Sequence, residues 1–337
     1  MKLAFSSSFT THRIQLNVLY PLQVFHCFPS LGLPRPSLRP KILSRAATSH
    51  HPLAANSDQR HHPNPQPKVQ DDGIPVECVK VLVKFKSRYN YIRVLEVSRK
   101  ADHPFRGSRL LLLDGPGNIH SINFLFRTLT DTYFDVFATL PPILPPGPIG
   151  ILGFGAGSAA KLILELYPQV VLHGWELDPC VIDVGREYLG LSKLEKQYPE
   201  RLFIYIGNAL KASVKGGFSG ILVDLFCKGS LIPELQDPVT WDKLKKSLRE
   251  GGRIMVNVGG TCVEAEDSRR DGKYFMEESL KAMSKVFPNQ LSLLSLGSRK
   301  DDSSIALTGH LPDLDAWKNA MPKPLRCYVY MWTPFSG

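Results

Sequence analysis

The sequence predicts an α/β fold: a doubly wound, mostly parallel sheet preceded by a small antiparallel β domain. Three observations predict it. From Pro148 onward, short apolar runs alternate with helical patterns. A glycine stretch, Gly153-Phe-Gly155-Ala-Gly157, lies between one such run and the next helical segment. Glu176 then closes the following apolar run, 23 residues after Gly153. A strand, a glycine turn, a helix and a strand-end acid in that order are the plan of a Rossmann-like nucleoside site.

The elements follow in order. Val79–Phe85 alternates around Lys80 and Lys84, and Tyr91–Val97 and Arg109–Asp114 are further apolar runs. Asp114-Gly115 is a turn signal, so these runs read as antiparallel strands. A helix is expected over residues 126–140, stopped by Pro141-Pro142. Ile149–Leu152 reads as a strand and Ser158–Leu166 as a helix, with Lys161 and Glu165 at i,i+4. Val170–Glu176 is a strand, and Pro179–Leu189 a helix with proline in its first turn. Leu202–Ile206 and Ile221–Phe226 are strands. Thr240–Leu248 is a helix ended by Gly251-Gly252, and Arg253–Val258 a strand. Tyr274–Phe287 is a helix, and Leu291–Leu296 and Ile305–Thr308 close the series. The predicted divisions are residues 1–70, a leader and linker; 71–130, the β domain; 131–310, the nucleoside-binding domain; and 311–337, a C-terminal extension. A length of 337 residues accommodates this, at ~150 residues per domain.

The net charge of +10 is concentrated at one end. Residues 1–70 hold eight basic residues and one acid, Asp58, and so carry +7 of it. The folded part is close to neutral, which gives no reason to expect a nucleic-acid partner. An acid-poor, Ser/Thr-rich opening with scattered Arg is the composition of an organelle transit peptide. It suits a chloroplast (plastid), with a mitochondrion as the alternative. No membrane span is expected. The longest uncharged run of the folded part, Val136–Ala160, contains five Pro and five Gly. The six Cys are dispersed without zinc-ligand spacing, so no metal is expected.

The chemistry concentrates at predicted strand C-termini. Gly153, Gly155 and Gly157 allow a tight turn and close approach of a ligand to the backbone. Glu176 is placed to accept hydrogen bonds from both ribose hydroxyls. The sixth loop position is Ser158, so the spacing is Gly-x-Gly-x-Gly rather than the dinucleotide pattern. That form suits S-adenosylmethionine, whose amino-acid end packs on the loop without a pyrophosphate. Gly207-Asn208-Ala209 follows the third strand, where the Asn208 amide oxygen is placed for an adenine amino group. Asp224 ends the fourth strand, beside the reacting sulfonium.

Residues 79–310 resemble the spermidine synthase family, aminopropyltransferases on a methyltransferase-type fold. Ser87-Arg-Tyr89-Asn90 looks like that family's Ser-x-Tyr-Gln stretch. Leu110-Leu-Leu-Leu-Asp114-Gly115 looks like its Val-Leu-Val-Leu-Asp-Gly hairpin. Gly174-Trp-Glu176-Leu-Asp178-Pro179 and Tyr205-Ile206-Gly207-Asn208-Ala209 look like its Val-Glu-Ile-Asp-Pro and Gly-Asp-Ala stretches. The resemblance implies nucleoside contacts from Asn90, Glu176 and Asn208, and an acceptor-deprotonating role for Asp224. It also implies departures. The family's loop Asp, which repels the carboxylate of the intact donor, is Ala156 here. Its Tyr-His-Glu is Tyr133-Phe134-Asp135, leaving Tyr133 and Asp135 as substrate contacts. Its Asp-Ser-Ser-Asp-Pro is Asp224-Leu-Phe-Cys-Lys228-Gly229, so one acid is missing and Lys228 is placed to attract a carboxylate.

Three readings of function remain. The first is a methyltransferase using intact S-adenosylmethionine on an unknown small acceptor, because Ala156 tolerates the donor carboxylate. The second is an aminopropyltransferase of polyamine biosynthesis, using the decarboxylated donor. The third is a non-catalytic nucleoside- or partner-binding protein on the same scaffold. A homodimer is left open.

Overall fold

The computed structural model describes residues 13–14, 73–115, 117–260, 265, 271–297 and 303–336. Two short strands, β1 (Arg13–Ile14) and β2 (Ile74–Pro75), pair antiparallel. An antiparallel sheet follows in chain order: β3 (Val79–Lys86), β4 (Tyr91–Val97), β5 (Ser108–Leu112) and β6 (Ile119–Phe124). Its inner strands are buried on both faces. Leu95, Val97, Leu110 and Leu112 join the main core, while Ile92, Val94 and Leu111 pack with Val181 and Val184.

The predicted 126–140 helix is only one turn and a half, α1 (Tyr133–Phe137). Asp131 takes a left-handed φ of 55° and Thr132 caps the helix from an extended conformation, so the chain before them cannot be helical. The prolines then turn Pro141–Ile143 into a 3-10 segment.

The alternating part runs β7 (Ile149–Leu152), α2 (Ser158–Leu166), β8 (Leu172–Glu176), α3 (Pro179–Tyr188), α4 (Leu191–Gln197) and β9 (Leu202–Ile206). It continues through β10 (Phe218–Val223), the hairpin β11 (Phe226–Cys227) and β12 (Ser230–Leu231), α5 (Pro238–Lys246) and β13 (Leu248–Gly259). It closes with α6 (Gly272–Val286), β14 (Leu291–Ser295), β15 (Ser304–Thr308), α7 (Leu314–Ala320) and β16 (Thr333–Pro334). The eight-stranded sheet has the order β16-β14-β15-β13-β10-β7-β8-β9. From β9 to β13 all neighbours are parallel; β15, β14 and β16 add antiparallel pairs. The C-terminal residues are tied into this body: β16 pairs with β14, and Trp317 Nε1 donates to the Thr139 carbonyl at 2.9 Å.

The order fixes where a ligand crevice belongs. The chain runs outward from β7 through β8 to β9, then returns to β10 and runs the other way. The connections beyond the C-termini of β7 and β10 diverge, leaving a crevice at that switch point. Gly153 follows β7, and Asp224 follows β10.

The doubly wound plan holds, with α2 packing in one apolar cluster and α5 and α6 in another, while the β9–β10 connection holds a single 3-10 turn, Ala209–Lys211. Beside it Phe203 and Tyr205 are exposed, stacked with His173 and Trp175 at centroid distances of 4.9 Å (His173–Phe203) and 4.8 Å (Trp175–Tyr205).

Candidate active site

The glycine loop is shaped by contacts that admit no side chain. Gly153, Gly155 and Gly157 have φ of 87°, 57° and 88°. A Cβ on Gly153 would stand 2.1 Å from the Asp224 carbonyl oxygen, and one on Gly155 would stand 2.7 Å from Ser121 Oγ. The loop is thus pressed between the end of β10 and strand β6. It is also pinned: Gly153 and Phe154 N–H both donate to the Trp175 carbonyl, and Ala156 N–H donates to Ser121 Oγ at 2.9 Å. Ser158 Oγ accepts from the Ile122 N–H and donates to the Ile122 carbonyl.

Glu176 ends β8 and is 8% exposed. One carboxylate oxygen accepts from Gly155 N–H at 2.9 Å, the other from Asp178 N–H at 3.1 Å. Burial pushes its carboxyl up, and those N–H donors oppose the rise. The carboxylate keeps acceptor capacity for a further donor such as a ribose hydroxyl. Two apolar side chains flank it in the open: Leu177 is 47% and Ile206 52% exposed. A Cβ built on Gly207 would meet nothing within 4 Å. Asn208 is exposed, but its Oδ1 already caps the following turn through Leu210 N–H at 2.9 Å; Ala209 is buried beneath it.

Across the crevice, Tyr133 and Asp224 come together. Tyr133 Oη donates to Asp224 Oδ2 at 2.6 Å, and Asn257 Nδ2 donates to Oδ1 at 3.0 Å. Burial raises the Asp224 carboxyl above its ordinary range, against the pull of these two donors. A carboxylate so held is a better proton acceptor than a solvated one. Asn257 was not singled out from sequence; it lies inside the apolar run of β13.

Other expected contacts serve the framework. The Asp135 carboxylate accepts from Thr130 N–H at 2.9 Å, Thr130 Oγ1 at 2.7 Å and Asp131 N–H at 2.8 Å. It braces the turn before α1, and its acceptors do not face the crevice. Asn90 Nδ2 donates to Asp178 Oδ2 at 2.8 Å, and Ser87 Oγ donates to the same oxygen. Asp178 Oδ1 meanwhile caps α3 through Cys180 N–H. Asn90 therefore clamps the β3–β4 turn to the start of α3. Ala156 is 5% exposed and packs among Ile92, Val94, Val181 and Val184. Lys228, exposed and with φ 53°, and the buried Gly229 form the turn of the β11–β12 hairpin. Most of the charged stretch 261–270 lies outside the described residues.

No family model matches the chain. A probable polyamine aminopropyl transferase of Bifidobacterium longum (strain NCC 2705) is 23% identical over 174 residues, 51% of this chain. The matched stretch spans 36% of that relative's length. A spermidine synthase from Thermotoga maritima superposes with a TM-score of 0.52 and 18% identity, covering 74% of this chain and 78% of that one. The chain has the spermidine synthase fold. A probable spermidine synthase from Corynebacterium glutamicum gives 0.52 and 15%, over 76% of this chain and 96% of that one. A spermidine synthase in complex with the transition state analogue AdoDATO gives 0.50 and 19%, over 74% and 78%. In this chain a four-stranded antiparallel sheet precedes the eight-stranded, mostly parallel one. Among the described residues no cluster of metal-ligating side chains is present.

Proposed function

We propose that the protein transfers an aminopropyl group from a decarboxylated S-adenosylmethionine-type donor to a small amine. The observation that carries this is the Tyr133–Asp224–Asn257 cluster at the switch point, opposite a glycine cradle with a ribose-competent Glu176. An ammonium cannot attack a sulfonium until it gives up a proton. Asp224, half-buried and held by two donors, is built to take it. Tyr133 fixes the carboxylate and adds a second polar group for the amine. Glu176, Leu177 and Ile206 would hold the nucleoside while the loop orients the sulfur. The likeness to aminopropyl transferases and spermidine synthases supports the same reading.

Methyl transfer from intact S-adenosylmethionine is the second reading, and Ala156 favours it. No acid stands at that loop position to repel the donor carboxylate. The two readings share a donor site and a base, and the product separates them. The purified protein is incubated with each donor and a panel of small amines, and the mass of the product is read. Aminopropylated amine, formed only with the decarboxylated donor, is expected. Asp224→Asn should lower kcat ~10²–10⁴-fold while donor affinity persists. Methylated product would install the second reading; turnover of neither donor would leave a binding protein, and an unimpaired Asp224→Asn would remove Asp224 as the base.

Residues 1–70 carry a separate proposal, plastid delivery, motivated by their +7 charge and acid-poor composition. A fluorescent protein fused behind them should enter plastids; mitochondrial or diffuse signal would refute it.

A further inference from the structure

The sheet of β3 to β6 carries a charge pattern that the transfer chemistry leaves unused. At one end the charges alternate. Lys80 on β3 lies opposite Glu96 on β4, and Glu96 lies opposite Arg109 on β5, whose Nε donates to the Glu96 carboxylate at 2.8 Å. At the other end they do not alternate. Lys84 on β3 lies directly opposite Arg93 on β4, and Lys86 lies opposite Tyr91. Like charges directly across two strands repel and destabilise the pairing. Among the described residues none of Lys84, Lys86 and Arg93 forms an ion pair.

The four side chains share one face. Lys84 and Lys86 are two apart on one strand, and Tyr91 and Arg93 two apart on the next. The Tyr91 ring is their centre, with Lys84 Nζ 5.6 Å and Arg93 Cζ 5.2 Å from its centroid. A bond from Lys84 holds the Tyr91 hydroxyl below its ordinary range; desolvation opposes it, and the charges of Lys84, Arg93 and Lys86 reinforce it. Arg93 is anchored through Nη2, which donates to the carbonyls of Asp114 and Gly115, while its Nε is buried without a partner. Ile92, between Tyr91 and Arg93, points the other way and packs with Ala156 and Val181. The cationic face therefore looks away from the glycine loop.

Protection of the sheet edge accounts for only part of this. β3 is an edge strand, and exposed lysines such as Lys84 and Lys86 keep such a strand from pairing with another chain. β4 is an inner strand, so that reason does not extend to Arg93, nor to its place opposite Lys84.

We propose that Lys84, Lys86, Arg93 and Tyr91 form a binding site for a phosphate dianion, free or as the monoester of a small molecule. Three cations on one small face call for a multiply charged anion. A phosphate monoester brings close to two negative charges and three acceptor oxygens, enough to meet donors arriving from both strands. A carboxylate brings one charge. With phosphate in place, the repulsion between Lys84 and Arg93 becomes a bridge between β3 and β4.

The test needs no turnover. Amide resonances of residues 84–93 are followed by NMR as inorganic phosphate or glucose 6-phosphate is added at constant ionic strength and about pH 7.5, where both are mostly dianionic. Saturable shifts confined to this hairpin are expected, and acetate should give none. Binding of glucose 6-phosphate as tight as that of inorganic phosphate assigns the site to esters; its exclusion assigns the site to free phosphate. Lys84→Gln and Arg93→Gln should each weaken phosphate binding about tenfold, while Lys80→Gln, at the alternating end, should leave it unchanged. Lys84→Gln keeps the test decisive if Arg93→Gln does not fold. In phosphate-free, low-salt buffer Lys84→Gln should be at least as stable as the unsubstituted protein, because it removes a repulsion. Equal shifts with acetate or chloride, unchanged phosphate affinity in Lys84→Gln, or a destabilised Lys84→Gln would each overturn the proposal.

Discussion

The two sides of the crevice are made differently. The donor side is mostly backbone: three left-handed glycines, two N–H groups on the Trp175 carbonyl, and one acid, Glu176, held by two more N–H groups. The acceptor side is made of side chains, with Tyr133 and Asn257 both donating to the Asp224 carboxylate. Backbone shape survives most substitutions outside the glycines, whereas a side-chain network depends on each member. The donor side is thus the scaffold, and the acceptor side is where specificity can be rebuilt.

Gly153 joins the two sides, and its substitution is the most severe test. Gly153→Ala would strain a φ of 87° and drive a methyl into the Asp224 carbonyl at 2.1 Å. The expected loss is roughly 3–5 kcal/mol of stability, read by urea unfolding. A stable, active variant would mean that the two sides move apart freely.

Glu176→Ala sharpens the contrast. It should abolish donor binding while leaving the fold intact. Two charge-assisted bonds at ~1.5–3 kcal/mol each imply more than ~100-fold weaker affinity by calorimetry. Unchanged affinity would remove Glu176 from the ribose.

Asp135 tests whether an acceptor-side acid is framework. Burial pushes its carboxyl up to about 6. Between about pH 4 and 6 the native state keeps a proton that the unfolded chain has released. Stability from this group is therefore present at low pH and declines as pH rises through that window, by about 3 kcal/mol at most. Asp135→Asn should flatten that slope in unfolding curves taken at pH 4.5 and 7. An unchanged slope would show that Asp135 does not titrate there.

The smallest effect concerns donor choice. Ala156→Asp places a carboxylate at a position 5% exposed, among apolar neighbours. A shift of about tenfold toward the decarboxylated donor is expected in competition titrations, equivalent to ~1.4 kcal/mol. No shift would place the donor's amino-acid end away from the loop.

The sequence was most readable where backbone pattern decides. The bounds of Ile149–Leu152, Ser158–Leu166 and Leu202–Ile206 are met to the residue, because apolar period and glycine punctuation change together there. Helix α4 left little pattern, since only Leu191 and Leu194 of Leu191–Gln197 are buried. The crevice itself was half legible. Gly153 and Glu176 declare themselves by position at strand ends. Asn257 sits in an apolar strand and reads as filler. Asp135 shows the converse. Its place in Tyr133-Phe134-Asp135, against the family's Tyr-His-Glu, suggests a substrate contact, but only coordinates show that Thr130 and Asp131 occupy its carboxylate.

Trp175 gives the molecule a built-in optical signal. Its carbonyl anchors the glycine loop, its ring stacks on Tyr205 and meets Phe218 edge-on, and the next residue is Glu176. Of the other three tryptophans, Trp241 shares the apolar cluster of Trp175, while Trp317 and Trp332 are buried in the other main cluster. Any nucleoside that settles on Glu176 must perturb an indole one residue away. Intrinsic fluorescence should therefore report occupancy in real time, without label or turnover, and Trp175→Phe should silence it.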